Sequence, residues 1–82
     1  MKIEDILKIK KGTIIDVRTP AEFSGGHVAG SINIPLNRLP DNFKKLTAME
    51  FPLVLCCASG IRSAQAAEFL NSRGLDCINA GS

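Results

Sequence analysis

The chain has 82 residues, of which 45% are hydrophobic and 22% are charged, and its formal net charge is +2. This length and composition predict one globular domain over residues 1–82 and exclude a wholly disordered chain. The small net charge and an aromatic content limited to four phenylalanines argue against nucleic-acid binding, and no apolar run is long enough to span a membrane.

The N-terminal segment "MKIEDILKIKKG" alternates apolar and charged residues. Its apolar positions have helical spacing, so we expect a short helix from Ile3 to about Lys10 that ends before Gly12. The segment lacks the uninterrupted apolar core of a signal peptide, so we expect a cytoplasmic protein unless a leader preceded this sequence. The chain has three cysteines, an odd number that cannot form a fully paired disulfide framework, so we expect reduced thiols.

The first strand and helix follow from a β-branched run and a capping box. The run from Thr13 to Val17 predicts a buried strand. Thr19 is then placed as the N-cap, Pro20 as the first helical residue and Glu22 as the third, which together open one or two helical turns.

The rest of the chain continues to alternate strands with helices. A short strand "SINIP" precedes a weakly amphipathic helix from Pro40 to about Lys45, and "PLVLCC" is the third strand. The most regular helix begins at Ile61 or Arg62, runs to Ser72 and is closed by Gly74, and "DCINA" is the last strand. This order predicts an α/β fold with a small parallel sheet flanked by helices on both sides. Ligands of such sheets bind at the carboxyl ends of the strands.

The turn after the third strand carries the candidate site. Its mostly small residues allow backbone N–H groups to point inward and bind negative charge, and the following helix start adds its own N–H groups. A thiol in this position ionises more readily than a free one, and the thiolate is the nucleophile. The helix macrodipole disfavours a positive charge at Arg62, so we expect an anion to face this side chain. We therefore predict Cys57 as the catalytic residue, with Arg62, Ala58, Ser59, Gly60, Ile61 and Ser63 binding the substrate.

Structural roles are predicted for the polar residues near the first strand. Arg18 and Glu22 are expected to form an ion pair that ties the strand end to the short helix. Asp16 lies at the carboxyl end of its strand and is given a structural role. His27, between glycines, is expected to fix its loop through a hydrogen bond.

The two other cysteines are interpreted as core residues. Cys56 precedes Cys57 in the strand and should point to the opposite face of the sheet, and Cys77 lies in an apolar strand. Adjacent cysteines and a single histidine lack the ligand spacing of a zinc site, so no metal is expected.

Two blocks, "IIDVRTPAEFSGGHVAGSINIPL" and "LVLCCASGIRSAQAAEFLNSRGL", resemble the single-domain rhodaneses, a thiosulfate sulfurtransferase-type family. The first block matches the family signature between Asp16 and Pro35. The second matches the loop C-x-x-G-x-R-[ST] in Cys57, Gly60, Arg62 and Ser63. The resemblance spans about Thr13 to Ala80.

This resemblance implies a two-step sulfur transfer without a metal or an organic cofactor. The Cys57 thiolate takes a sulfane sulfur from a donor such as thiosulfate and becomes a persulfide. A thiophilic acceptor (cyanide, a cellular thiol or a sulfur-accepting protein) then removes that sulfur. Arg62 would orient the thiosulfate oxyanion or the departing sulfite.

Three other functions are weighed against this one. Rhodanese-like phosphatases place one residue more between cysteine and arginine, whereas four residues separate Cys57 from Arg62, so phosphatase activity is the weaker interpretation. A non-catalytic binding or regulatory module would not need both Cys57 and Arg62. A redox sensor would use Cys56 or Cys77 to resolve an oxidised Cys57.

Overall fold

In the computed structural model, which describes residues 12–81, four parallel strands form one sheet in the order β2-β1-β3-β4. Two 3-10 turns lead into the second helix. The elements in chain order are β1 (Thr13–Asp16), α1 (Pro20–Ser24), β2 (Ile32–Asn33), the turns Leu36–Arg38 and Pro40–Asn42, α2 (Phe43–Thr47), β3 (Leu53–Cys56), α3 (Ile61–Ser72) and β4 (Cys77–Gly81).

The predicted α/β class is confirmed, and every described strand begins and ends within two residues of its prediction. The capping box of α1 is also confirmed: the Thr19 hydroxyl accepts the Glu22 N–H at 3.2 Å, and Glu22 Oε1 accepts the Thr19 N–H at 3.1 Å. The helix predicted from Ile3 to Lys10 lies outside the described residues. No helix among residues 12–81 is long and apolar enough to cross a membrane.

The helix predicted from Pro40 to about Lys45 is wrong in its start. Pro40–Asn42 forms a 3-10 turn, and α2 begins only at Phe43. Pro40 has no N–H to donate, and the bonds on either side of it span three residues, from Asn42 N–H to the Leu39 carbonyl and from Phe43 N–H to the Pro40 carbonyl. The tighter turn therefore replaces the first turn of the expected α-helix.

The two faces of the sheet carry separate buried clusters, because successive side chains of a strand point to opposite faces. The larger cluster joins the sheet to α2 and α3 through Ile15, Val17, Ile34, Leu39, Leu46, Leu53, Leu55, Cys57, Ala66, Ala67 and Leu70. The smaller cluster on the other face consists of Val54, Cys56 and Ala80, with Ile14 packed against it. The adjacent cysteines thus belong to different clusters, as predicted for Cys56.

Glycine ends α3 as predicted. Arg73 is the C-cap and Gly74, at φ +84°, follows it in the left-handed region. The Leu75 N–H bonds to the Leu70 carbonyl at 3.0 Å and the Gly74 N–H to the Asn71 carbonyl at 3.1 Å, which is the Schellman pattern. The chain therefore turns back into β4 directly after the helix.

Two glycines with similar backbone angles differ in the space around them. At Gly12 (φ +103°) an added Cβ would lie 2.6 Å from the Pro52 carbonyl oxygen, whereas at Gly74 (φ +84°) it would meet no atom within 4 Å. We expect Gly74→Ala to lower the free energy of unfolding by about 1–2 kcal/mol through backbone strain alone. Gly12→Ala should cost more, because the Pro52 oxygen also accepts the Thr13 N–H at 3.0 Å. Urea denaturation of both variants measures the difference, and equal costs would contradict the clash.

Candidate active site

The Cys57 sulfur lies at the carboxyl end of β3, buried beneath the turn that leads into α3. Cys57 is 5% exposed. Its sulfur accepts the backbone N–H of Gly60 at 3.0 Å and of Ser63 at 3.3 Å, and the Ser63 hydroxyl oxygen lies 3.4 Å away. Gly60, at φ +87°, is the N-cap of α3 and provides no side-chain cap. The cysteine sulfur therefore accepts the Ser63 N–H, which an N-cap side chain would otherwise accept.

Hydrogen bonding distinguishes Cys57 from the other two thiols. Burial opposes ionisation of Cys57, but hydrogen bonds from the Ser63 side chain and from the backbone N–H groups of Ser63, Ser59 and Gly60 outweigh it, so its pKa lies below the ordinary value. Burial raises the pKa of Cys56 to about 11 and also raises the pKa of Cys77. Of the three free cysteines, Cys57 is the one that the structure favours as a thiolate.

The remaining loop residues differ in their exposure. Ser63 is fully buried, whereas Ile61 is 66% exposed. Ala58 and Ser59 are also exposed, and the Ser59 hydroxyl accepts the Ile61 N–H at 3.5 Å. The loop therefore faces the sulfur with backbone groups and with Ser63, while Ala58, Ser59 and Ile61 line its outer surface.

The anion expected opposite Arg62 is a carboxylate of the same chain. Arg62 Nη1 and Nη2 donate to Glu22 Oε1 and Oε2 at 2.7 and 2.9 Å, a bidentate pair between α3 and α1. The hydrogen bonds from Arg62, and next those from Thr19, lower the pKa of Glu22 to about 2. Substrate binding by Arg62 stays a prediction, but its guanidinium already has a partner.

The predicted ion pair between Arg18 and Glu22 is wrong. Arg18 donates from Nε and Nη2 to the Asp16 carboxylate at 3.0 and 2.8 Å, and its Nη2 also donates to the Gly26 carbonyl. Asp16, which is 2% exposed, additionally accepts the Arg18 backbone N–H. Arg18 therefore pairs with Asp16, two residues earlier in the chain. Glu22 pairs instead with Arg62 of α3.

The His27 loop is fixed as predicted. His27 Nδ1 lies 2.8 Å from the Phe23 carbonyl oxygen, and the two rings stack with centroids 3.6 Å apart. The loop between α1 and β2 is thus held against α1 by its own residues.

Asn79 is also part of the site, although its sequence position did not predict this. The Ser63 hydroxyl lies 2.6 Å from Asn79 Oδ1 and 3.1 Å from the Gly60 carbonyl oxygen. Asn79 is the middle residue of β4, and the register against β3 shifts by one residue directly after it. The signal available in the sequence was a polar residue between the apolar Ile78 and Ala80, which by itself does not indicate a contact with the loop.

An open groove of about 500 Å³ adjoins the site and includes Arg62 in its wall. Its other lining residues are Val17, Thr19, Pro35, Leu36 and Asn37, so aliphatic side chains provide much of the surface. The groove lies beside the carboxyl end of β1, where ligands of parallel sheets bind.

The contribution of the Ser63 hydroxyl can be measured directly. Ser63→Ala removes a hydrogen bond that favours the thiolate, so it should raise the Cys57 pKa and lower the thiolate fraction at neutral pH by roughly tenfold. The rate of Cys57 alkylation against pH, with the modified residue identified by peptide mass, reports this change. Ser59→Ala is the matched control, because Ser59 favours the thiolate through its backbone N–H. A similar loss of thiolate fraction in both variants would contradict a specific role of the Ser63 hydroxyl and would indicate a change in the whole loop.

Known proteins resemble this chain in sequence and in fold. The family profile described as "Rhodanese-like domain" matches residues 2–80. An uncharacterized protein of Bacillus subtilis, YqhL, is 40% identical over 65 residues, which cover 79% of this chain and 51% of that protein. The thiosulfate sulfurtransferase GlpE of Stutzerimonas stutzeri is 36% identical over 61 residues, covering 74% of this chain and 55% of that enzyme.

A solved structure of a rhodanese-related protein has a similar fold. The rhodanese-related protein of Thermoplasma volcanium superposes with a TM-score of 0.83 at 39% identity, covering 95% of this chain and 78% of that one. The chain spans about half the length of the two curated relatives named above.

Proposed function

The chain belongs to the rhodanese-like domain family, and from this membership we propose that it is a sulfurtransferase that works through a persulfide on Cys57. The observation that carries the proposal is the hydrogen-bonded Cys57 sulfur, whose pKa is lowered although the residue is buried. The nucleophile of sulfur transfer is a thiolate, so the site favours the form that the reaction needs. A relative of this chain is a thiosulfate sulfurtransferase, which agrees with the proposal.

The proposed reaction has two displacements at sulfur. The Cys57 thiolate attacks the sulfane sulfur of thiosulfate, a new S–S bond forms, and sulfite leaves with the electron pair of the bond that breaks. A thiophilic acceptor such as cyanide then attacks the outer sulfur of the persulfide, and Cys57 leaves as the thiolate. Each step exchanges one nucleophile for another, so electrons balance without a cofactor.

Backbone N–H groups of the loop would stabilise the charge that moves between the sulfurs. The N–H groups of Gly60 and Ser63 already point at Cys57 Sγ. Such fixed donors stabilise an anion without reorganising during the reaction. The loop therefore suits both the thiolate and the anionic persulfide.

Arg62 would bind the donor while it remains paired with Glu22. A guanidinium has five N–H donors, and Glu22 takes one from each terminal nitrogen. The remaining donors can bind an oxyanion of thiosulfate, and the Glu22 pair would fix their direction. The aliphatic groove beside Arg62 would receive the rest of a larger acceptor, such as a thiol or a segment of a sulfur-accepting protein.

We propose that the protein acts in the cytoplasm. We also propose that residues 1–82 form a single domain. All three cysteines are free, which agrees with a reducing compartment. Cys56 faces the other side of the sheet and has a pKa of about 11, which disfavours it as a resolving thiol for a redox sensor.

Replacing the nucleophile tests the proposal. Cys57→Ser should abolish persulfide formation and thiosulfate:cyanide sulfurtransfer, because a serine hydroxyl stays protonated at neutral pH. Cys56→Ala is the matched control and should keep most of the activity, since Cys56 packs on the opposite face. Mass spectrometry after exposure of the reduced protein to thiosulfate should show one added sulfur on Cys57. An unmodified thiol would support a binding module, and a disulfide a redox sensor.

Arg62→Lys tests the role of the guanidinium. Lysine keeps the charge but not the planar fork that can hold Glu22 and an oxyanion together. We expect kcat/KM for thiosulfate to fall roughly ten- to a hundredfold, mainly through KM. The Cys57 alkylation profile should change little, because the dominant hydrogen bonds to the sulfur come from Ser63 and the loop backbone. Parent-like kinetics in this variant would exclude Arg62 as the oxyanion ligand.

A further inference from the structure

The Ser63 hydroxyl has more hydrogen-bond partners than it can donate to. Its oxygen lies 2.6 Å from Asn79 Oδ1, 3.1 Å from the Gly60 carbonyl oxygen and 3.4 Å from Cys57 Sγ. A hydroxyl carries one proton and accepts through its lone pairs. The partner that receives this proton must therefore depend on which of the neighbouring groups is the strongest acceptor.

With Cys57 as a neutral thiol, the bonds form a short chain. The Cys57 S–H donates to the Ser63 oxygen, and Ser63 donates to Asn79, its closest acceptor. The distance of 2.6 Å lies at the short end of the range for O–H···O hydrogen bonds. In this arrangement the Asn79 amide oxygen holds the Ser63 proton.

Ionisation of Cys57 reverses the direction at Ser63. A thiolate can no longer donate and becomes a charged acceptor, which favours a hydrogen bond from the hydroxyl. The Ser63 proton must then turn from Asn79 to the sulfur, and the bond to Asn79 is lost. Asn79 and the thiolate thus compete for the same proton.

We propose that Asn79 is a positioning residue that acts on Cys57 through Ser63, holding the hydroxyl proton while the sulfur is neutral and releasing it to the thiolate. The inner sulfur of a persulfide is also neutral, so the proton would return to Asn79 after the first step of the proposed reaction. Asn79 would in this way stabilise the neutral forms of the sulfur relative to the thiolate.

The fold positions Asn79 for this contact. Asn79 is opposite Leu55 in the register of β4 against β3, and the next pairing, Cys56 with Gly81, skips Ala80. Ala80 belongs to the cluster on the far face of the sheet, whereas Asn79 reaches Ser63 at the start of α3. The irregularity lies at the end of the strand beside the site, a common place for a bulge that directs a side chain.

The two ion pairs beside the site do not include Asn79. Arg62 is paired with Glu22, and Arg18 with Asp16. Cys56, the adjacent thiol, has a raised pKa. A change in Cys57 ionisation on replacing Asn79 therefore reports the hydrogen-bond chain rather than a rearranged ion pair.

The test replaces Asn79 by Leu, which has similar size but no acceptor. Because Asn79 then no longer competes with the thiolate for the Ser63 proton, the rate of Cys57 alkylation by iodoacetamide below the thiol pKa should rise roughly three- to tenfold. Asn79→Ala removes the same acceptor by a smaller change and should act in the same direction. Circular dichroism melting curves of both variants check that the fold is kept.

A double-mutant cycle separates this role from a general effect on the loop. In the Ser63→Ala background the proposal predicts that Asn79→Leu has no effect on the alkylation profile, because the mediating hydroxyl is absent. An Asn79→Leu variant that alkylates at the parent rate or more slowly would overturn the proposal, as would an equal acceleration with and without Ser63. Alkylation measures the thiol itself, so the result is independent of whether thiosulfate is the donor.

Discussion

The start of α3 needs acceptors for its backbone N–H groups, and the Cys57 sulfur accepts those of Gly60 and Ser63. Gly60, the N-cap, has no side chain to offer, and the Ser63 N–H is buried with the sulfur as its partner. A buried N–H without a partner costs about 1–3 kcal/mol, so the helix start and the thiol depend on each other. The hydrogen bonds that satisfy the N–H groups at the helix start also favour the Cys57 thiolate. The stability of the helix and the reactivity of the thiol therefore depend on the same contacts.

Charged side chains around the site are arranged as pairs. Arg62 with Glu22 links α3 to α1, and Arg18 with Asp16 closes the end of β1. The folded pKa of Glu22, about 2, lies below its unfolded value, so this pair stabilises the fold above the unfolded pKa and is lost as pH falls through about 2. The Arg62–Glu22 pair therefore stays charged near neutral pH. At Cys57 the hydrogen bonds to the sulfur outweigh the opposing effect of burial.

The three cysteines show how position in a strand decides the chemistry of a thiol. Cys56, the last residue of β3, packs with Val54 and Ala80 on one face, and burial keeps it protonated. Cys57, one residue later, lies beyond the strand, where the turn brings N–H groups to its sulfur. Cys77 lies in β4, and its sulfur is within 3.6 Å of the Ala67 carbonyl oxygen of α3. The three thiols thus differ in pKa because, of the three, Cys57 alone accepts hydrogen bonds from the N–H groups at a helix start.

Features that depend on a few neighbouring residues could be predicted from the sequence. The capping box at Thr19, the glycine that ends α3 and the order of strands and helices all follow from local backbone geometry. The small-residue turn after β3 likewise pointed to Cys57. The pairing of Arg62 with Glu22, forty positions earlier in the chain, and the contact of Ser63 with Asn79 follow only from the three-dimensional fold. Such pairs form because parallel strands bring turns that are distant in sequence to one edge of the sheet. The contacts there depend on distance in space, which the order of residues along the chain does not give.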